Sequence, residues 1–332
     1  IRLVELNKPK CFIFENVKGL TEPRNQEAFD LIISKLTNSE YYVNWNILNA
    51  YDFGLPQDRD RVFIIGIRND LVDSDFSFIF PQPLQDQPKL FNFIDKIQKV
   101  DFIKKKFDPK ILFENGIPPS RGRFQKSDEL NDFFIFSDIR NGHTTIHSWE
   151  LTRTRKSERF ICETILKNRR KKKYGNKDGN PLNIDILSDL IPDLKQKDLD
   201  SLIAKNILRS VDNKGYEFVN SKISSGINGV AKIFLPHSNV ISTLTASGTR
   251  DYVAKISIEC QEPSEYKKTF IKEIYRKKRF KKLTSRDAAN LQGFPDWFVL
   301  PEQEDGAKKL LGNAVPVPVV YHLAKAMLKV LV

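Results

Sequence analysis

Cysteine is scarce in these 332 residues: Cys11, Cys162 and Cys260 are the only three. They lie far apart, are odd in number and form no CxxC pair. Neither a disulfide framework nor a zinc site is expected from them, and a reducing cytoplasm suits the chain. No run reaches the roughly 18 consecutive apolar residues that a membrane span needs, so no membrane partner is expected. The opening Ile1-Arg2-Leu3-Val4-Glu5-Leu6 has no long apolar core and no small-residue cleavage site, so these residues are not expected to be a secretory signal. It also has no initiator Met, and the expectation is that the chain begins inside a longer gene product. No carboxylate cluster suited to a nuclease metal stands out, no metal is expected, and there is no internal repeat.

What is present is apolar and basic. Forty per cent of the residues are hydrophobic and 24 are Phe, enough for an aromatic core. The length suggests about two domains of ordinary size. Basic residues number 54 against 42 acidic, a net charge of +12. The cations are clustered, in Arg169-Arg170-Lys171-Lys172-Lys173 and again in Arg276-Lys277-Lys278-Arg279-Phe280-Lys281-Lys282. A basic run can be a solvated loop. Clustered cations also displace counterions from phosphates, which points to a polyanion partner.

Hydrophobic patterning divides the chain into three stretches. In residues 1–70, Cys11 to Phe14 reads as a buried strand of a parallel sheet. Phe29, Leu31, Ile32, Ile33 and Leu36 give a helix over 24–37. Tyr41–Leu48 and Arg61–Ile67 read as strands antiparallel to each other, joined by a turn at Tyr51 to Pro56. Residues 71–283 mix prolines, short strands and charge runs. Trp149 to Lys173 starts helical and becomes purely basic. Within 183–219, two short apolar-faced helices precede a hairpin at Leu208–Val219, the order of a winged helix. Residues 284–332 return to α/β character, with Ser285 as N-cap of a helix over Arg286–Leu291 and an amphipathic closing helix over Tyr321–Leu331.

Four short segments could carry chemistry. Phe14-Glu15-Asn16-Val17 puts a carboxylate where an apolar strand ends, the end at which open α/β sheets bind ligands; a capping or salt-bridged Glu would give the same residues. Gln57-Asp58-Arg59-Asp60-Arg61 spaces its arginines two apart, on one face of an extended chain, and Arg offers a rigid planar fork of donors. The alternative is a surface ladder with Asp58 and Asp60. Leu291-Gln292-Gly293-Phe294-Pro295 and Leu311-Gly312-Asn313-Ala314-Val315-Pro316 are turn-forming. His143, Thr144, Thr145, His147 and Trp149 make a polar-aromatic cluster that could touch bases, although a lone His or Trp is more often packed or capping.

In this order the four segments resemble the C5-cytosine DNA methyltransferase family. Arg286-Asp287-Ala288-Ala289-Asn290-Leu291-Gln292-Gly293-Phe294-Pro295 departs from the family's usual pattern at Asn290, where Arg is usual. Ile241 to Gly248 looks like the family's strand and loop whose hydroxyls meet target-strand phosphates. The resemblance covers 1–70 and 284–332; between them it implies a variable target-recognition region. It implies an α/β fold, the second half of a Rossmann-like class I methyltransferase sheet domain, plus a mixed α+β target-recognition domain at 71–283 with a winged-helix-like insert at 183–219.

The function implied is methyl transfer from S-adenosylmethionine to carbon 5 of a cytosine flipped from duplex DNA, in a bacterial restriction-modification system, in the cytoplasm at the nucleoid. A thiolate attacks ring carbon 6, and β-elimination later releases the product. By the same resemblance Glu15 holds the N3 and amino edge, Arg61 holds the carbonyl O2 with Arg59 in support, and Asn313 and Val315 lie by the cofactor's methionine end. Gln57, Thr243, Thr245, Arg170, Lys171 and Lys172 are the expected DNA-contacting residues. The family's Pro-Cys nucleophile and Phe-x-Gly-x-Gly cofactor loop do not occur in this sequence. The chain alone is therefore expected to be inactive: a fragment, one subunit of a split enzyme whose partner chain brings the missing half, or a non-catalytic DNA-binding protein.

Overall fold

The computed structural model describes residues 1–84, 88–99, 147–177, 179–219, 232–238, 240–246, 251–258 and 263–331. The described helices are α1 (Arg2–Asn7), α2 (Gln26–Asn38), α3 (Ser148–Leu151), α4 (Lys156–Asn168), α5 (Ile184–Leu190), α6 (Gln196–Ala204), α7 (Pro263–Phe270), α8 (Ser285–Leu291), α9 (Glu304–Asn313) and α10 (Val317–Leu331). The strands are β1 (Cys11–Val17), β2 (Tyr41–Asn49), β3 (Gln57–Asp58), β4 (Asp60–Arg68), β5 (Leu208–Val211), β6 (Gly215–Phe218), β7 (Lys232–Phe234), β8 (Ile241–Ser242), β9 (Asp251–Ala254) and β10 (Phe280–Lys282). They fall into two compact units, residues 1–102, 235–249 and 282–332 in one, residues 103–234 and 250–281 in the other.

The first unit is built on a three-stranded sheet of order β1-β4-β2. β4 pairs antiparallel with both neighbours, Glu15 opposite Phe63 on one side and Leu48 opposite Arg61 on the other. The antiparallel reading of β2 and β4 holds. The parallel reading of β1 does not: β1 and β2 run the same way, but β4 lies between them. Only Phe12 of β1 is fully buried.

Alternation along the strands gives the sheet two apolar faces. Phe12, Val62, Ile64 and Tyr41 pack with Phe29 and Leu36 of α2 and Val4 of α1. Leu48, Phe63, Ile65 and Ile67 pack with Val319, Leu323 and Met327 of α10, joined by Phe78 and Phe80. Burying each such side chain is worth about 1.5–3 kcal/mol. Phe78 and Phe80 draw residues past 70 into this unit. So do the bond from the Leu90 N–H to the Ser238 carbonyl at 2.9 Å and the parallel pairing of β3 with β8. The first unit thus extends past residue 70 and takes back 235–249, both expected in the recognition region. Helix α8 starts one residue earlier than expected, because Thr284 rather than Ser285 caps it in a reciprocal box with Asp287.

In the second unit the helix–helix–hairpin order stands: α5 and α6 precede the β5-β6 hairpin, which turns at Asp212 to Lys214. A bridge from Leu182 to Tyr216 adds a third extended segment. Trp149, Ile161, Ile165, Leu187, Leu199, Leu202 and Phe218 share one core. Trp149 is therefore a core residue and not a base-contacting one, stacked between His147 and Phe218. His143, Thr144 and Thr145 lie outside the described residues.

A buried carboxylate crosses this core. Glu158 of α4 accepts bonds from Lys205 Nζ at 2.7 Å, Ser201 Oγ at 2.6 Å and the Arg155 backbone N–H at 2.6 Å. Burial alone would raise its pKa; these donors more than offset burial and hold it at about 2, against an ordinary 4.5. A folded pKa below the unfolded one stabilises the ionised native form. That contribution is complete above about pH 5 and is lost as the pH falls towards 2. In Glu158→Gln, amide exchange in α4 and α6 should be faster at pH 7 and less sensitive to acidification between pH 5 and 2. An unchanged acid dependence would show that Glu158 does not carry the linkage.

Candidate active site

β1 ends and β4 begins at the same end of the sheet. The register sets Val17 opposite Arg61 and Glu15 opposite Phe63, so Glu15 and Arg61 are diagonal neighbours on one face. Arg61 Nε meets Glu15 Oε1 at 2.9 Å, with side chains only 13% and 21% exposed. Arg61 Nη1 also donates to the Asp60 carbonyl at 2.7 Å. Burial lowers the Arg61 pKa, and Glu15 opposes that shift. Glu15 is thus salt-bridged, the alternative its sequence allowed; a carboxylate offers about four acceptor sites and a guanidinium five donors, so these contacts still leave both groups capacity for a ligand.

The surface-ladder alternative for the arginines is not what forms. Asn49 Nδ2 donates to Asp58 at 2.7 Å and to Asp60 at 2.8 Å, and Lys18 meets Asp60 at 3.0 Å. The two aspartates are thereby drawn to other partners.

Arg59 and Gln57 share a side of the chain, as their spacing requires, but it is the inner side. Arg59 is 1% exposed. Its Nη1 donates to the Leu244 carbonyl at 2.8 Å, and its Nη2 to the carbonyls of Gly312 at 3.0 Å and Ala314 at 2.8 Å. Burial, then Arg61, lower its pKa to about 10. Gln57, 0% exposed, donates to the Leu291 carbonyl and accepts from the Leu244 N–H, both at 3.0 Å. The expectation that Gln57 touches DNA is corrected: its amide is consumed inside the fold.

Thr243 is half-buried and its hydroxyl donates to the Asp58 carbonyl; Thr245 is exposed. The Thr245–Ala246 backbone passes so close to Gly312 that a Cβ there would lie 2.4 Å from it. This explains Gly312 inside the last turn of α9, where glycine otherwise costs stability. Gly293 has φ +79, and a Cβ there would meet Pro318 at 2.5 Å. Gln292, also buried, donates through its side-chain amide to the Leu311 carbonyl at 3.0 Å, and its main-chain carbonyl accepts from the Val317 N–H at 2.9 Å. The Gln292-Gly293 and Gly312-Asn313 segments are thus locked together. Neither Gln292 nor Leu244 was singled out from the sequence as a strut. Apolar or amide residues give no such signal until their partners are known.

Asn313 ends α9 exposed, with no hydrogen-bond partner among the described residues, beside half-buried Val315, which packs on the sheet face. In the second unit the basic run is not uniformly solvated. Arg169 is buried with its guanidinium 5.5 Å from the Phe218 ring, and Arg170 is half-buried with Nε shut from solvent. That narrows the DNA expectation: Lys171, Lys172 and Lys173 are the exposed cations. Cys11 and Cys162 are free thiols, and burial raises the pKa of each. Cys11 packs against the sheet core and Cys162 in the core of the second unit. Reactive thiols need the opposite shift.

An acid and a guanidinium thus lie together at one end of the β1-β4-β2 sheet. The chain belongs to the C-5 cytosine-specific DNA methylase family, which it matches over residues 1–329. It is 41% identical over 329 residues to the Type II methyltransferase M.HgiBI of Herpetosiphon aurantiacus, covering 98% of this chain and 75% of that protein. The Type II methyltransferase M.HgiCII of the same organism is 41% identical over 328 residues, and its Type II methylase M.HgiEI is 40% identical over 329, at the same coverage.

Gln57→Ala should orphan the buried Leu244 N–H and lower stability by about 1–3 kcal/mol. The salt dependence of DNA binding should stay as it was. A shallower salt dependence, with stability intact, would return Gln57 to the DNA surface.

Proposed function

We propose that Glu15 and Arg61 hold a cytosine extruded from duplex DNA while its carbon 5 is methylated, within a restriction-modification system. The paired contact between Glu15 and Arg61 at the sheet end is the observation that carries this reading. A carboxylic group opposite N3 and the exocyclic amine can share a proton with N3 as electron density enters the ring, a general-acid and electrostatic role. A guanidinium opposite O2 fixes the ring and answers charge that develops on that oxygen. Unstacking the base costs a few kcal/mol, and a pre-aligned pair recovers part of it on binding.

S-adenosylmethionine supplies the methyl group when bound. The residues fit it: an amide without a partner at Asn313 suits a charged amino-acid end, and Val315 offers an apolar wall beside it. Neither described thiol suits the attack on carbon 6, and Cys260 lies outside the described residues. We therefore assign that attack to a thiol outside the described residues, on this protein or on a partner chain. Thr245 and Lys171 to Lys173 are assigned to DNA phosphates, and the helix–helix–hairpin segment of 184–218 to a winged-helix-like contact; Thr243 is not, because its hydroxyl proton goes to the Asp58 carbonyl. The reading as a non-catalytic DNA-binding protein predicts binding without transfer under every pairing with a candidate partner.

With labelled S-adenosylmethionine and the thiol-bearing partner or segment present, Glu15→Gln should slow methyl transfer by about 10²–10⁴-fold and leave duplex binding within a few-fold. Equal losses of both would make Glu15 a structural residue.

Replacing Lys171, Lys172 and Lys173 with Ala should weaken binding to all duplex sequences alike. The slope of log K against log salt should fall by up to about 0.9 for each phosphate that is no longer neutralised. An unaltered slope would place those lysines off the DNA.

A further inference from the structure

We propose that Arg59 is a positioning residue that fixes the Thr243–Ala246 segment against the Gly312–Ala314 turn, so that one guanidinium sets the place of the Asn313–Val315 cofactor residues. This goes beyond the supporting role on the base that the motif suggests, and it rests on the proposed reading of Asn313 and Val315.

The geometry is specific. Arg59 has no carboxylate bonded to it among the described residues; all three described bonds of its guanidinium end on main-chain carbonyls. Two of those carbonyls, Gly312 and Ala314, belong to the C-terminal end of α9, where unpaired carbonyls carry partial negative charge. The third is Leu244, whose N–H is held in turn by Gln57. Leu244 is thus gripped at both of its backbone groups by alternate residues of one extended segment. The missing Cβ of Gly312 lets the two gripped segments touch, with Thr245 and Ala246 lying against it. A lysine would keep the charge at this position. It could not reproduce the planar fork that spans both segments.

Arg59→Lys and Arg59→Met test this in two ways. Amide exchange in the chain itself should accelerate at least tenfold over 243–246 and 312–317, while 12–16 and 62–67 keep their rates. Acceleration of only one of the two segments, or a uniform rise across the unit, would overturn the proposal. In methyl transfer with the thiol-bearing partner or segment present, Arg59→Lys should raise KM for S-adenosylmethionine at least tenfold, with kcat at saturation within threefold. A fall in kcat like that of Glu15→Gln with KM unmoved would place Arg59 on the base and overturn it. If the exchange result holds while Asn313→Ala leaves that KM unmoved, the fault lies with the cofactor assignment and not with the Arg59 clasp.

Discussion

Everything at the site depends on β4 running antiparallel between β1 and β2. A parallel neighbour would begin at the opposite end of the sheet from the end of β1. Because β4 runs the other way, its first residues meet the last residues of β1. Glu15 and Arg61 come from strands whose cores are apolar on both faces, and each is the first polar side chain beyond the apolar block on its face. The α10 helix covers Phe63, Ile65 and Ile67 on that same face. Its packing resists slip of the register, since a one-residue slip would turn these side chains to the other face.

The buried guanidinium of Arg59 is the costlier element. Charge taken out of water costs several kcal/mol unless it is paired, and no carboxylate bonds it among the described residues. Three carbonyl oxygens, two of them at a helix C-terminus, take the place of a counter-ion. Such a site is stable only while all three remain in place, so the segments that provide them are bound to one another through it. The Gly312-Asn313 turn is tied in through two of these bonds, at Gly312 and Ala314. Gln57 and Gln292 serve the same end with neutral amides: each bridges two segments distant in sequence and so adds to the cooperativity of the unit.

Much of this was legible in the sequence, and the errors have a common cause. Strands β1, β2 and β4, the long α2 helix, the closing helix and the hairpin at 208–218 follow from periodicity; the contact between Glu15 and Arg61 needs the register of β1 on β4. Alternation also placed Gln57 and Arg59 correctly on one side of the chain. It could not say which side, because that depends on Leu244 and Gly312, some 185 and 253 positions away. Local pattern leaves Trp149 and Arg169 open for the mirror-image reason. An aromatic or a cation beside polar residues looks exposed until Phe218, far along the chain, is found stacked against both. The boundary near residue 70 failed because Phe78 and Phe80 sit in a proline-broken stretch without period, yet fill the sheet core.

The pairing of Glu15 with Arg61 also bears on how a base would be admitted. In the absence of a base each group partly satisfies the other, at low exposure, so neither stands as an unpaired buried charge. A cytosine entering the site would present its amine donor to the carboxylate, with one proton shared between N3 and the acid, and its O2 acceptor to the guanidinium, matching each without requiring them to separate. A ring with the pattern reversed, acceptor towards Glu15 and donor towards Arg61, would face like against like at both edges. Rejection on those terms is steep, because buried polar groups left unmatched cost about 1–3 kcal/mol each and more when charged. On the proposed reading the pair would choose among bases as well as hold one, through the strand register that fixes the two groups side by side.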